Sequence, residues 1–360
     1  MKFRIVTVIA LAVLASMTTS SADALIPGLN FLVVGKIELK QGGKGRFQAA
    51  GAPKQLNPND EVRLRRGSRA TILCSDSSFK SVPKGGAYTV RGICPQTGLR
   101  ILSGGSEGDY LPTRGGDNLS VPFVISPRKT KILSDTPLIQ WNDVPNTTGY
   151  TVRVFSPDGV IWEYTARGRE IRYPGVPALQ RGIRYVVEVR ANTGSASTDE
   201  GIPGLAFSLI DDSTAQAVDS DVALLAEQEL SAETEAFILA QIYRKYNLFV
   251  EAIAILEALD RKSVQSPTSY RLLGDLYRQV RLNRHAQDAY LNALYLAENS
   301  KDVEEKAAIL AALGNITVVL DDIQQSIKYF KEARDLYFAL EGENSRIGQA
   351  ISAQLAELGL

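Results

Sequence analysis

The chain has 360 residues, of which 44% are hydrophobic and 22% charged, an ordinary balance for globular domains that bury sizeable cores, with room for two or three of them. It carries one histidine and two cysteines, so zinc sites built from Cys and His lack ligands. The net charge is zero but unevenly spread. Residues 25–125 hold 14 Lys/Arg against 7 Asp/Glu, residues 126–210 hold 10 against 8, and residues 211–360 hold 14 against 24. Steps of this size point to independent modules, although drifting composition on solvated surfaces gives the same counts.

Lys2 and Arg4 precede the apolar run Ile5 to Ala15, and the segment closes on Ala22-Asp23-Ala24. A positive start, a short apolar stretch and a small-x-small site make a secretory signal peptide over residues 1–24, with the cut expected after Ala24. A run of about eleven residues is too short to anchor in a bilayer. The mature chain is therefore expected in the periplasm or outside the cell, with no membrane-spanning segment, which argues against nucleic acid as a partner. In an oxidising compartment Cys74 and Cys94 are expected to pair. A loop of about 20 residues closed in this way stabilises by roughly 3 kcal/mol in the chain-entropy model. The competing reading, a metal or redox pair, lacks CxxC spacing.

Residues 25–125 read as short strands: Phe31 to Leu39, Glu61 to Arg65 and Ala70 to Cys74. Val62 and Leu64 alternate with charged residues, as a half-buried strand requires. Asn57-Pro-Asn-Asp60, Arg66-Gly-Ser68 and Lys84-Gly-Gly86 are turn signals. The order Asn59-Asp60-Glu-Val62, Gly67-Ser68-x-Ala70-Thr-Ile-Leu, then Ser77 and Val82, resembles the exported domain of FecR-type proteins over about 60 residues. The resemblance rests on turn chemistry. It implies a regulatory sensor, but the membrane helix of that family has no counterpart here, so a membrane partner would have to act in trans.

Beyond Val121 to Pro127, residues 126–210 have the size of a β-sandwich. Pro137-Leu-Ile-Gln-Trp141, Gly149 to Phe155, and Leu179-x-x-Gly182-x-x-Tyr185 are its landmarks. In that order they resemble fibronectin type III and related immunoglobulin-like sandwiches. The resemblance implies that Trp141 fills the core and that the Tyr185 hydroxyl ties a loop to the backbone. Val160, Trp162 and Tyr164 are placed on one strand face by period two, with Tyr173 nearby. If outward, Trp162 and Tyr164 would stack on sugar rings; the alternative is that they pack in or beside the core.

Residues 211–231 form an acidic, Ala-rich lead-in helix, after which Ser231 is a helix N-cap. From Glu233 and again from Pro267, 34 residues later, the same residue types recur. Ala240, Tyr243, Ala252 and Leu256 match Gly274, Tyr277, Ala286 and Tyr290. A third unit, 40 residues further on, has Leu313, Gly314, Phe330 and Ala333. Small residues let two helices approach while large ones fill the space between them. Pro267 suits a first helical position, and Asp321-Asp322 marks the turn of the third unit. Residues 345–358 form a final helix that covers the stack. This pattern resembles the tetratricopeptide repeat (TPR). The fold expected is two all-β modules, FecR-like and immunoglobulin- or fibronectin-like, followed by an all-α TPR superhelix over residues 232–360.

Catalysis has little to stand on. His285 is the only imidazole; it lies beside Ala286 on a repeat helix and reads as a surface residue. Gln41-Gly-Gly-Lys-Gly45 and Gly104 to Gly108 lack phosphate-loop spacing and read as hairpin turns. No enzyme, cofactor or metal is expected.

The TPR resemblance implies that the first helix of each pair lines a groove. By position this gives Phe237, Gln241 and Arg244, then Arg271, Asp275 and Arg278, then Ala311, Asn315 and Val318. Arg244, Arg271 and Arg278 form a basic strip suited to an acidic segment or a chain-end carboxylate; alternatively they pair internally with acids such as Glu235 and Asp275. Partner contact is expected at Arg244, Arg271, Asp275, Arg278 and Asn315. The leading reading is an envelope scaffold for a protein or peptide; the alternatives are binding to glycan or an anionic wall polymer, and a FecR-like sensor.

Overall fold

The structure is a computed structural model, and it describes residues 32–35, 37–50, 54–56, 59–68, 70–73, 79–94, 119–202, 205–226, 230–260, 266–298 and 302–359. The expected signal segment, Cys74 and the glycines of 104–108 lie outside the described residues. The first module contains β1 (Leu32–Gly35), β2 (Ile37–Lys40), β3 (Gln48–Ala50), β4 (Lys54–Gln55), β5 (Glu61–Leu64), β6 (Ala70–Leu73), β7 (Phe79–Ser81), β8 (Tyr88–Thr89) and the short helix α1 (Val90–Ile93). They form two four-stranded sheets, β4-β1-β6-β7 and β3-β2-β5-β8. Ile37, Leu39, Leu56, Val62, Ile72, Val82, Val90 and Cys94 are buried in the core. Among the described residues no cysteine is free. The acidic turn works as an internal tie: the Asp60 carboxylate accepts the Gly42 N–H at 2.7 Å and its carbonyl accepts the Val90 N–H at 2.8 Å. Gly42 and Gly43 have φ of 56° and 68°, so the Gly-rich piece is the turn from β2 to β3.

The second module holds β9 (Val124–Ser126), β10 (Thr130–Ile132), β11 (Leu138–Trp141), β12 (Tyr150–Ser156), β13 (Gly159–Ala166), β14 (Glu170–Arg172), β15 (Arg184–Ala191) and β16 (Phe207–Leu209). A five-stranded sheet, β10-β16-β15-β12-β13, lies with a three-stranded one, β14-β11-β9, around a shared core. Along β12 the residues Tyr150, Val152 and Val154 are buried, and their partners Ala191, Val189 and Val187 on β15 share that face. Trp141 is buried in the same core, its ring edge-on to Tyr150 at 5.4 Å. The Tyr185 hydroxyl accepts the Gln180 N–H at 2.8 Å, the loop tie expected from sequence.

One expectation on β13 fails. Trp162 stands opposite Val154, but Val160 stands opposite Phe155. One extra residue, Ile161, sits between them as a bulge, which moves Val160 to the other face from Trp162 and Tyr164.

The helical part comprises α2 (Asp212–Ala226), α3 (Ala232–Lys245), α4 (Phe249–Asp260), α5 (Pro267–Gln279), α6 (Asn283–Ala297), α7 (Val303–Val319), α8 (Ile323–Glu341) and α9 (Arg346–Glu357). Starts are capped by side chains: Ser231, Ser266, Asp302, Asp322 and Ser345 each accept a backbone N–H from the first turn. Pro267 is the first residue of α5. The three hairpins α3–α4, α5–α6 and α7–α8 turn through left-handed residues, Asn247, Arg281 and Asp321, with φ of 60°, 60° and 65°. Their spacing repeats the 34- and 40-residue steps read from the sequence.

The small residues are needed where two helices touch. A Cβ built on Gly274 would lie 2.5 Å from the Tyr290 ring, and one on Gly314 would lie 2.5 Å from Phe330. Gly348 follows Gly314 at the 34-residue step, which makes α9 a further first helix. Its glycine is covered by Phe338 of the preceding α8.

Sandwich and array are joined by a continuous contact. Arg128 is buried with all five guanidinium N–H groups engaged. They reach Glu200 at 2.8 and 3.1 Å, the Val124 carbonyl at 3.0 Å, and the Val280 and Arg281 carbonyls of the α5–α6 turn at 2.9 and 3.4 Å. The α3–α4 turn is held by β10: the Asn247 carbonyl accepts from Lys131 N at 2.8 Å and from Thr130 Oγ1 at 3.1 Å. Thr130 Oγ1 in turn accepts the Phe249 N–H at 2.9 Å. Phe123 joins the helical core, and Val250 packs on the sandwich core. His285, expected at the surface, instead lies between Phe123 and Tyr277, with ring centroids at 6.3 and 5.3 Å. Burial pulls its pKa down.

Candidate functional site

The helix periodicity that buries Leu272, Leu273 and Leu276 turns Arg271, Asp275 and Arg278 to the opposite side of α5. On that side the polar residues of three successive first helices are linked in a row. Arg244 of α3 lies 3.8 Å from Asp275; Arg271 lies 3.9 Å from the same carboxylate oxygen. Arg271 Nε then donates to Glu305 of α7 at 2.8 Å. The Tyr290 hydroxyl, from α6, donates to Asp275 at 2.7 Å, and Arg278 bonds to Tyr290 as well. The basic strip is thus threaded with acids, the internal pairing that the sequence left open as its alternative.

The electrostatics follow from this threading. Burial alone would raise the Asp275 pKa, but the guanidinium groups of Arg244, Arg271 and Arg278 outweigh it and hold the carboxyl below its usual range. Burial opposes the charge on Arg271, yet the carboxylates of Glu305 and Asp275 outweigh it and hold the guanidinium protonated more firmly than usual. Burial pushes the Tyr290 phenol up, and the Asp275 charge adds to the shift. Arg271 keeps 29% of its side-chain surface exposed and Asp275 18%, whereas Glu305 keeps 4%. The row is therefore anchored on a buried carboxylate and open along its arginines.

Asn315 is not part of this row. Its Nδ2 donates to the Ala311 carbonyl at 2.8 Å and its Oδ1 accepts from Gln354 of α9 at 3.4 Å. Phe237, Gln241 and Ala311, expected at the same face, are buried. Glu305 and Gln354 are not singled out by the sequence, and Tyr290 is named there only as a packing residue of the second unit. Glu305 lies 34 residues after Arg271, a spacing that the 40-residue step of the third unit conceals.

A second cluster sits on β13. Trp162 packs against the sandwich core, parallel to Tyr164 at 5.9 Å and edge-on to Tyr173 at 5.5 Å. Tyr164 is 48% exposed. Among the described residues no group of His, Cys, Asp or Glu is arranged to hold a metal ion, and no helix is long and apolar enough to cross a membrane.

No family model matches the sequence, and no curated protein matches it. Among solved structures, BtubC (BKLC) from P. vanneervenii is 24% identical with a TM-score of 0.34, over 41% of this chain and 63% of that one. The match thus spans less than two thirds of BtubC. PcrH from Pseudomonas aeruginosa is 18% identical with a TM-score of 0.31, over 37% and 98%. A putative kinesin light chain from Podosopora anserina with nearly identical TPR-like repeats is 17% identical with a TM-score of 0.34, over 40% and 77%.

Proposed function

We propose that this chain is a non-catalytic, exported scaffold of the bacterial envelope that holds a protein or peptide partner on the first-helix face of a TPR-like array. In this reading residues 1–24 are removed on export, and a FecR-like module, stapled by a Cys74–Cys94 bridge, and a fibronectin-like sandwich precede the array. The observation that carries it is the row Arg244–Asp275–Arg271–Glu305. It crosses the first helices of three successive hairpins, is held by the fold before any partner arrives, and leaves its arginines part-exposed. Stacked helical hairpins offer extended surfaces of this kind for docking.

Site-specific photo-crosslinking in intact cells tests the proposal. A crosslinker at Arg278 or Asn315 should capture a discrete protein that one at Tyr295, exposed on α6, does not. Capture from Tyr295 alone would overturn the assignment of the face. Sugar binding at Trp162 and Tyr164 is the second reading, supported by the exposed, parallel ring of Tyr164. Loss of glycan retention in Tyr164→Ala, with the array face intact, would favour it.

A further inference from the structure

The junction between sandwich and array contains a carboxyl group, Glu251, that no cation among the described residues neutralises. Glu251, near the start of α4, reaches across the module boundary, and its Oε1 accepts the N–H of Leu133, just after β10, at 2.7 Å. Its other oxygen, Oε2, is shielded from solvent and has no hydrogen-bond partner among the described residues. The ionisable groups around this corner do not compensate it. Tyr243 of α3 faces it as a neutral phenol, raised by burial and by the Glu251 charge; Asp219 of α2 acts on the same phenol with negative sign. Lys131 of β10 is turned to Asp211, with 3.7 Å between the charged atoms. An ionised Glu251 therefore places a charge on an oxygen that neither water nor a cation solvates.

We propose that Glu251 is a proton-controlled latch between the two modules: protonated, it lets the α3–α4 turn seat on β10, and loss of the proton loosens that seat. The neutral acid keeps an acceptor for Leu133 N–H while removing the uncompensated charge. Burial raises the carboxyl to about 7, against the bonding from the Leu133 and Glu251 backbones that lowers it. The sign follows from proton linkage. The seated state binds the proton more tightly than the open one, so the penalty is absent below the ordinary carboxylate range. It grows as pH rises and is complete above about 7. The Arg128 clamp on the neighbouring turn pairs its carboxylate, Glu200, with the guanidinium, so the loosening is expected on the Thr130–Leu133 side.

Amide hydrogen exchange on the full chain tests this, with rates corrected for their intrinsic pH dependence. From pH 6 to pH 8.5, the opening equilibrium at the Lys131 and Leu133 amides should rise by about tenfold, the increase expected for a carboxyl moved from its ordinary value to about 7. Glu251→Gln, which keeps an acceptor and cannot ionise, should flatten the response. An equal rise in Glu251→Gln, or none in the wild type, overturns the proposal. Should the variant fail to fold, carbon-detected titration of the Glu251 carboxyl in the wild type decides: a midpoint near 4.5 overturns it, and one near 7 upholds it.

Discussion

Two arginine–carboxylate clusters in this molecule are built from the same chemistry and differ in exposure. At the junction, Arg128 and Glu200 retain 0% and 4% of their side-chain surface, and every guanidinium N–H has a partner. Along the array, Arg271, Arg244 and Asp275 remain part-exposed, at longer separations. A fully satisfied buried pair fixes one arrangement of the backbones it touches, because any other leaves a charge without solvent. A part-exposed row tolerates exchange of partners, since water or another carboxylate can replace a contact at small cost. The first cluster sets where the modules sit; the second is free to be used.

Removing one side of each pair should separate them most sharply. Arg128→Ala strands Glu200 and should cost about 3–5 kcal/mol, read as a lowered urea midpoint. Adding Glu200→Leu should recover part of that loss. A single-mutant cost below about 1 kcal/mol would place the pair with ordinary surface bridges. Asp275→Ala should cost about 1–3 kcal/mol, since it leaves a buried phenol and two guanidinium groups without their shared acceptor. Tyr290→Phe removes the hydroxyl that bonds both Asp275 and Arg278 and should cost about 1–2 kcal/mol. Arg244→Ala should cost less than about 1 kcal/mol, while still weakening partner capture at the array face.

Acid sharpens the contrast further. Asp275 is held below the ordinary carboxylate range, so its contribution is complete at neutral pH and is lost as pH falls through that range to its lowered value. The array row thus loosens in acid, whereas the Glu251 side of the junction loosens in base. Urea midpoints measured from pH 3 to pH 8 should fall on the acid side, and Asp275→Asn should flatten that limb.

Much of the array was legible in the chain because its signals are local. Ser231 and Pro267 act within one turn, Gly274 and Tyr290 sit a short hairpin apart, and Asp321 marks a turn by its own backbone. Tyr185 and Trp141 were legible for the same reason, being recognisable from their immediate neighbours. The junction was not. Nothing beside Arg128 in sequence points to its role, because the partners that tie it to Glu200 and to the α5–α6 turn lie 72, 152 and 153 residues away. His285 reads as a surface residue because nothing near it in sequence announces Phe123. The displacement of Val160 depends on a bulge, which period-two counting does not contain.

The chain has two tryptophans, Trp141 between the sheets and Trp162 at the sandwich margin, and the helical array has none. Indole emission therefore watches only the sandwich, while far-ultraviolet ellipticity is dominated by the helices. Superimposing the two signals in one melt tells whether the units come apart together, and no dye or tag is required to ask.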